Sequence, residues 1–442
     1  MQLLNFSTVI LLFFATTFFI LFKISDVLLS ILLIVNTLII CVGFYISLQR
    51  KIINIDLIYW IFNYLFFIIA VVMQSTELYF PTRLPVNIDS MIFGQLLIVI
   101  WNFIFIVSRN RGSNIFQSNN VLVISKNVSN LYFILSTLFF VYVFLNNGIQ
   151  YFYGDGSIIG SNVSQPIQLL VSSTVYGIVF SNFIFIYSRR KKGDIISNIF
   201  TIIAFLQLIY IMSPFNVNRF NLGFIIIFFL WYFYRKSIFA YKFSVIFFLG
   251  VLVVFPFLDV FRYGFDSDIT FSLSTSLDQF KQLHFDAFAN LLATIEYTFE
   301  YSLLLGSNFL GTLLFFIPSS FWEGKPEGSG TRIGNYLIDN YGLNFNNLSN
   351  PLVSEFYLAF GMVGIIIGAF LFAQIINKIE KNSVKSLENE ILYGIVLSYL
   401  FILLRGSLIV AFSSIVGSIF FMIVLPRLFM IKRNKRQQLI QS

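Results

Sequence analysis

The chain is short of almost everything a soluble enzyme is built from. Its 442 residues include one cysteine, Cys41, and one histidine, His284, and only 11% are charged. A single cysteine has no partner for an intramolecular disulfide. One histidine and one cysteine exclude every familiar zinc constellation. Walker A and dinucleotide glycine patterns are missing too, and with them any sign of ATP or nicotinamide chemistry. An average globular domain carries about 25% charge, so this chain has too few polar groups to coat a soluble surface of its length. A soluble enzyme, a nucleic-acid-binding domain and a disordered scaffold are all excluded.

What is present is apolar. Hydrophobic residues make up 58% of the chain, Phe alone fills 58 positions, and mean hydropathy is +0.85. These values predict an all-α polytopic membrane protein. A helix crosses the hydrocarbon core with about 20 mostly apolar residues. On that basis about twelve transmembrane helices are predicted, near 3–22, 27–48, 53–73, 91–108, 130–147, 166–187, 195–213, 220–234, 243–258, 351–376, 391–405 and 407–430. The first lacks a basic n-region and a small-residue cleavage site, so it reads as a retained span. No internal repeat is found, and no inverted pair of broken helices of the transporter kind.

The net charge of +8 resolves along the chain. Connections expected on one side of the membrane hold 20 of the 28 Lys and Arg residues and 5 of the 20 acids. That side carries +15 and the other −7. Basic residues collect in cytoplasmic loops, so both termini are expected in the cytoplasm, with the acidic face outward. The basic balance then describes topology, and no nucleic acid is implied.

One connection is long. Residues 1–258 hold spans one to nine, residues 259–350 form a large outward loop, and residues 351–442 hold the last three spans and a basic cytoplasmic tail. Within the loop, Ser276 and Gln279 read as a capping box. After it, Leu277, Phe280, His284, Phe288, Leu291, Ile295 and Phe299 recur at helical spacing, predicting an amphipathic helix. The run Asn308–Ile317 is too short to span, ends at Pro318, and reads as a re-entrant or interfacial piece. The Gly-, Asn- and Pro-rich stretch that follows, to residue 350, predicts irregular structure.

Candidate chemistry sits on the outward side. Asp266 and Asp268 form the one Asp-x-Asp, which reads more readily as a solvated turn than as a cation site. Orientation does not require Arg219, Arg262, Lys325, Arg332 and Arg405, yet all five are predicted at the outer surface. Guanidinium forks suit phosphate or carboxylate, so these residues either line one site for a phosphate-bearing lipid or pair singly with outward acids. Asp259, for example, is placed to pair with Arg262. Two residues are candidates for proton transfer. Glu355 begins span ten and is either a base toward a sugar hydroxyl or an acid set against the helix dipole. His284 is either a second base or a packed histidine on the apolar stripe.

Four stretches resemble the bacterial O-antigen polymerases, the Wzy family: IPSSFWEGKPEGSG at 317–330, SEFYLAFGMVG at 354–364, NRF at 218–220 and RG at 405–406. Ser319 stands where that family often has Arg, and Glu323 where Pro is common. The resemblance implies a metal-independent, cofactor-free membrane glycosyltransferase, similar to the GT-C type, in the bacterial inner membrane. Its substrate would be an oligosaccharide on undecaprenyl diphosphate, polymerised at the periplasmic face with release of the lipid diphosphate. Glu355 or His284 would be the base, and Arg219, Arg262, Lys325, Arg332 and Arg405 would hold diphosphate. A chain-length regulator is the implied protein partner. Competing expectations are a flippase for the same lipid-linked oligosaccharide and an O-antigen ligase.

Overall fold

The computed structural model describes residues 2–110, 125–154, 158, 165–190, 193–216, 219–235, 237, 239–254, 277–318 and 321–429. It is 80% helical, and the described residues include no strand. The helices are α1 (Gln2–Lys23), α2 (Val27–Gln49), α3 (Ile55–Gln74), α4 (Ile88–Ser108), α5 (Lys126–Asn147), α6 (Gln165–Ser188), α7 (Ile195–Ile211), α8 (Arg219–Tyr234) and α9 (Ala240–Leu249). They continue with α10 (Ala287–Tyr301), α11 (Ser307–Leu313), α12 (Ser329–Tyr341), α13 (Leu352–Ser383), α14 (Leu387–Arg405) and α15 (Leu408–Phe429). Among the described residues nine helices, α1–α6 and α13–α15, are long and apolar enough to cross a membrane. Helices α7, α8 and α9 are apolar but shorter. This is an all-α polytopic membrane protein.

The chain divides into two compact units. One comprises Met1–Ser113, Leu230–Glu380 and Tyr399–Ser413; the other comprises Asn114–Phe229, Lys381–Ser398 and Ser414–Ser442.

In the first unit α3 is the interior helix. Its apolar window is 94% buried, whereas that of α1 is 22% buried, leaving most of α1 for lipid. Apolar side chains gain little by leaving lipid for protein, so small residues and polar contacts must hold such helices together. Gly43 lets α2 approach the Trp60 ring so closely that a Cβ there would overlap the indole. The Tyr59 hydroxyl donates to Asn102 Oδ1 at 2.6 Å, and Asn102 Nδ2 donates to Asn36 Oδ1 at 2.9 Å. One buried chain of hydrogen bonds thereby ties α3, α4 and α2.

A buried ion network closes one end of these helices. Arg50 follows α2, Asp56 lies in the first turn of α3, Arg109 follows α4, and Glu380 lies near the end of α13. Arg109 Nη2 reaches Glu380 Oε2 at 2.6 Å, Arg50 Nη1 reaches Asp56 Oδ2 at 3.2 Å, and Arg50 also pairs with Glu380. Arg109 donates further to Asn377. Two cations meet two carboxylates, so the network is neutral. Burial opposes the charge on Arg109, but Asp56 and Glu380 outweigh it and hold the guanidinium above its ordinary pKa.

Helix α13 is broken. Phe360 and Gly361 leave helical geometry, with Gly361 at φ 60°, ψ −140°. A break inside an apolar helix strands carbonyls that lipid cannot satisfy. Here the loop after α10 supplies the donors: Leu304 N–H reaches Leu358 O at 2.9 Å, and Leu305 N–H reaches Ala359 O at 3.0 Å. To present them the loop adopts positive φ at Ser302 and Leu305, 77° and 49°.

In the second unit Gln207 of α7 is the polar hub. Its Oε1 accepts from Ser136 at 2.7 Å and Asn182 at 3.4 Å, and its Nε2 donates to Thr137 at 2.9 Å, joining α5, α6 and α7.

Two sequence expectations for the long connection are corrected. Residues 277 and 278 are helical, two short 3-10 turns follow at Gln279–Lys281 and Leu283–Phe285, and the long regular helix α10 begins at Ala287. Ser276 lies outside the described residues, and Gln279 donates to Val251 O at 3.2 Å. The 3-10 segment is held by Gln74, whose Nε2 donates to Phe280 O and Phe285 O at 2.7 and 3.0 Å. The second correction is α12, which occupies 329–341 inside the stretch read as irregular. Its glycines permit close approach. A Cβ on Gly330 would overlap Leu348 O, and one on Gly334 would overlap the backbone of Asn346.

Candidate functional site

Helix α13 begins just after Pro351, which brings Glu355 to its first turn. The side chain is buried, and neutral donors meet both oxygens. Asn308 Nδ2, from α11, donates to Oε2 at 2.9 Å. Ser329, the first residue of α12, donates to Oε1, and so does the Leu408 amide at the start of α15, at 3.2 Å. Four separate elements therefore converge on one carboxylate. No cation pairs with Glu355 among the described residues, and that distinguishes it from Asp56, Asp286 and Glu380.

The carboxylate lies against a crevice lined also by Thr312, Pro326, Glu327, Ser329 and Ser407. The space is narrow, about 190 Å³ including what is open to solvent, and too tight for a water molecule. Glu327 is exposed and places a second carboxylate on the rim.

The predicted cations take different positions. Arg405 ends α14, and Nη2 donates at 3.0 Å both to Asp286 Oδ1 and to Leu283 O. It is three residues from the Leu408 amide that binds Glu355, so one short turn carries both groups. Lys325 is committed to backbone: Nζ donates to Phe315 O at 3.0 Å and Ile317 O at 2.8 Å, capping the turn that follows α11. Arg332 lies one helical turn beyond Ser329 on α12; its Nη1 donates to the Tyr297 hydroxyl at 3.3 Å and it has no carboxylate partner among the described residues. Arg262 lies outside the described residues, as do Asp266 and Asp268. Arg219 begins α8, and its side chain lies outside the described residues.

His284 sits in the 3-10 turn Leu283–Phe285, not on the face of α10. Its flanking residues are structural: Leu283 O accepts from Arg405, and Phe285 packs on Phe66 at 5.0 Å. The crevice beside Glu355 does not include His284.

The sequence did not single out Asn308, Ser329, Asp286 or Ser349. Ser349 Oγ donates to Asp286 Oδ1 at 2.8 Å and completes the pocket for Arg405. Asn308 left a signal, as an amide opening an otherwise apolar run. Ser329 left none, because a serine in a glycine-rich stretch reads as loop.

A tyrosine cluster adjoins α12. Tyr297 and Tyr301 stack at 5.1 Å, and Tyr336 meets both edge-on. Tyr341 packs on Tyr336 at 6.3 Å and donates to Glu296. Burial, reinforced by Glu296 and the nearby Glu300, pushes the Tyr341 hydroxyl up to about 12, and that of Tyr336 also rises.

Comparison with known proteins returns no matching family model, no matching curated protein and no matching solved structure.

Proposed function

We propose that the chain is a surface-polysaccharide polymerase of the bacterial inner membrane, resembling the Wzy family. In this reading α7, α8 and α9 also cross the bilayer, giving twelve spans with both termini cytoplasmic. The substrate is an oligosaccharide repeat unit on undecaprenyl diphosphate. The single observation that carries the reading is Glu355, a buried carboxylate bound only by neutral donors, with Arg405 three residues from one of them.

The chemistry is a displacement at the anomeric carbon of the donor glycan. Glu355 accepts the proton of the acceptor hydroxyl, the new glycosidic bond forms, and the bond to the diphosphate oxygen breaks. Charge develops on the departing diphosphate, and guanidinium groups in a dry site stabilise it. Arg405 has Nη1 to offer beyond its bonds to Asp286 and Leu283, and Arg332 has no carboxylate partner among the described residues. Arg219 and Arg262 complete the proposed set. Lys325 keeps one Nζ hydrogen beyond the two carbonyls it caps. No metal or cofactor takes part. The narrow crevice has to widen before a hydroxyl reaches Glu355.

A second reading, a flippase for the same lipid, draws on the break in α13, since interrupted helices line transport paths. The ion network argues the other way, because its charges gather at helix ends and pair among themselves. An O-antigen ligase is the third possibility. A deletion strain complemented with Glu355→Gln or Arg405→Ala separates them. Polymerase loss leaves single repeats on the lipid A core, flippase loss leaves repeats facing the cytoplasm, and ligase loss leaves long chains on undecaprenyl diphosphate. Wild-type chain lengths in both variants overturn the assignment.

A further inference from the structure

Away from the Glu355 crevice, the end of α10 and the length of α12 hold chemistry that the proposed reaction leaves unused. The last turn of α10 presents Phe299, Glu300 and Tyr301 outward, with Tyr301 59% exposed. Behind Tyr301 lies Tyr297, stacked at an interplanar angle of 19°. Tyr336 stands at 84° to Tyr301, and Tyr341 lies beyond it with its hydroxyl on Glu296. The result is one exposed ring, Tyr301, backed by the buried Tyr297 and Tyr336 and flanked by the half-buried Tyr341 and the carboxylates of Glu296 and Glu300.

We propose that Tyr301 and Tyr341, with Glu296 and Glu300, form a saccharide subsite that holds the glycan beyond the sugar at Glu355. The proposal rests on the reading that this protein handles a glycan, not on the role given to Glu355.

The chemistry selects among ligands. A pyranose has a C–H face that packs on an aromatic ring and a rim of hydroxyls that donate to carboxylates. An anion is repelled by Glu296 and Glu300. An acyl chain would have to desolvate both carboxylates. A quaternary ammonium would compete with Arg332, whose guanidinium already bonds the Tyr297 hydroxyl. A neutral polyol meets none of these penalties. With their pKa values raised, Tyr336 and Tyr341 keep their protons at neutral pH.

Placement agrees. Ser329, which bonds Glu355, and Tyr336 and Tyr341 share one helix. At 1.5 Å per residue they lie roughly 10 and 18 Å along α12 from Ser329. One rigid helix thus links the proposed reacting carboxylate to the tyrosine cluster.

The test uses full-length protein in nanodiscs and glycans released by mild acid from the lipid extract of the cells that make it. Saturation-transfer NMR is expected to show glycan signal for wild type, at least a fivefold loss in Tyr301→Ala, and retention in Tyr301→Phe. Tyr301 is mostly exposed, so removing its ring leaves the fold intact, which the elution profile checks. Undiminished signal in Tyr301→Ala, or none in wild type, overturns the proposal. Displacement of the glycan by choline chloride overturns it in favour of a cation site. Polymer assay of Glu355→Gln separates the two claims. Loss of polymer with normal glycan binding in Tyr301→Ala removes only the subsite, whereas normal polymer with Tyr301-dependent binding removes only the catalytic reading.

Discussion

Arg109 donates to both oxygens of Asp56, through Nε at 2.7 Å and Nη2 at 2.9 Å. This two-pronged bond joins the end of α4 to the start of α3, and Glu380 of α13 completes it. Removing one member of a buried pair strands the other, at a cost of about 3–5 kcal/mol. Arg109→Ala is expected to lower thermal stability strongly, and Arg109→Lys only part-way, because an ammonium cannot bridge two carboxylates as a fork. Arg427 and Glu388 form an exposed pair at 2.9 Å, so Arg427→Ala is expected to change stability by less than about 1 kcal/mol. Melting curves of the three purified variants check this; equal curves for Arg109→Ala and Arg427→Ala would refute it.

Glu355→Gln is expected to fold. An amide oxygen still accepts from Ser329 and Leu408, while its NH2 faces the Asn308 amide, which keeps its bond to the residue-355 carbonyl, so one neutral hydrogen bond is lost. The stability change should be about 1 kcal/mol or less. Glu355→Leu leaves the Ser329 hydroxyl and the Leu408 amide unpaired and Asn308 with only its bond to the residue-355 carbonyl, and is expected to cost upward of about 2 kcal/mol. If unfolding in detergent ranks the two the other way, the hydrogen-bond description of this site fails.

Adding one methyl to α12 separates packing from propensity. Gly330→Ala and Gly334→Ala drive a Cβ into backbone at 346–348 and are expected to destabilise by about 1–3 kcal/mol each. At Gly223 in α8 nothing lies within 4 Å of the added carbon, so Gly223→Ala is expected to stabilise by about 0.5–1 kcal/mol. Three midpoints of unfolding decide the matter, and a stabilising Gly334→Ala would contradict the close approach.

Alkaline pH probes Tyr341. Its folded pKa of about 12 exceeds the ordinary 10.0, so folding favours the protonated phenol. That contribution is complete below about pH 10 and is lost as pH rises through 12. Wild-type stability is therefore expected to fall more steeply than that of Tyr341→Phe between pH 10 and 12. Parallel pH profiles for the two proteins would dismiss the effect.

The helices were legible because lipid imposes a length and a composition, and each of the twelve predicted stretches contains a helix, although residues 53–54, 212–213, 351 and 407 lie outside it and Phe360 and Gly361 interrupt one. Arg50, Asp56, Arg109 and Glu380 all fall in connections that the alternation of spans places on one side, and they meet in one network. What escaped was set by tertiary contact. In α12, Ile333, Tyr336 and Leu337 carry a buried face, but Gly330 and Gly334 read as breakers because their purpose is a neighbour 12 to 18 residues away. The helix predicted across 277–299 is interrupted by two 3-10 turns before Ala287, because Gln74 holds the backbone at Phe280 and Phe285 in another geometry. For the candidate site, Glu355 and Arg405 were visible as charges at apolar helix ends. Their commitments to Ser329, Asn308 and Asp286 were not, since a hydrogen bond across 26 to 119 residues leaves no local pattern.

The mended break in α13 bears on the order in which the chain is made. Residues 302–305 leave the ribosome about fifty residues before Leu358 and Ala359, so the two amide donors exist before the carbonyls that need them. Helix α13 can then enter the membrane as an interrupted rod whose gap is filled on arrival. Were the loop placed after α13 in the gene, the bare carbonyls would wait in hydrocarbon, and a straight helix without the bend would be the favoured product.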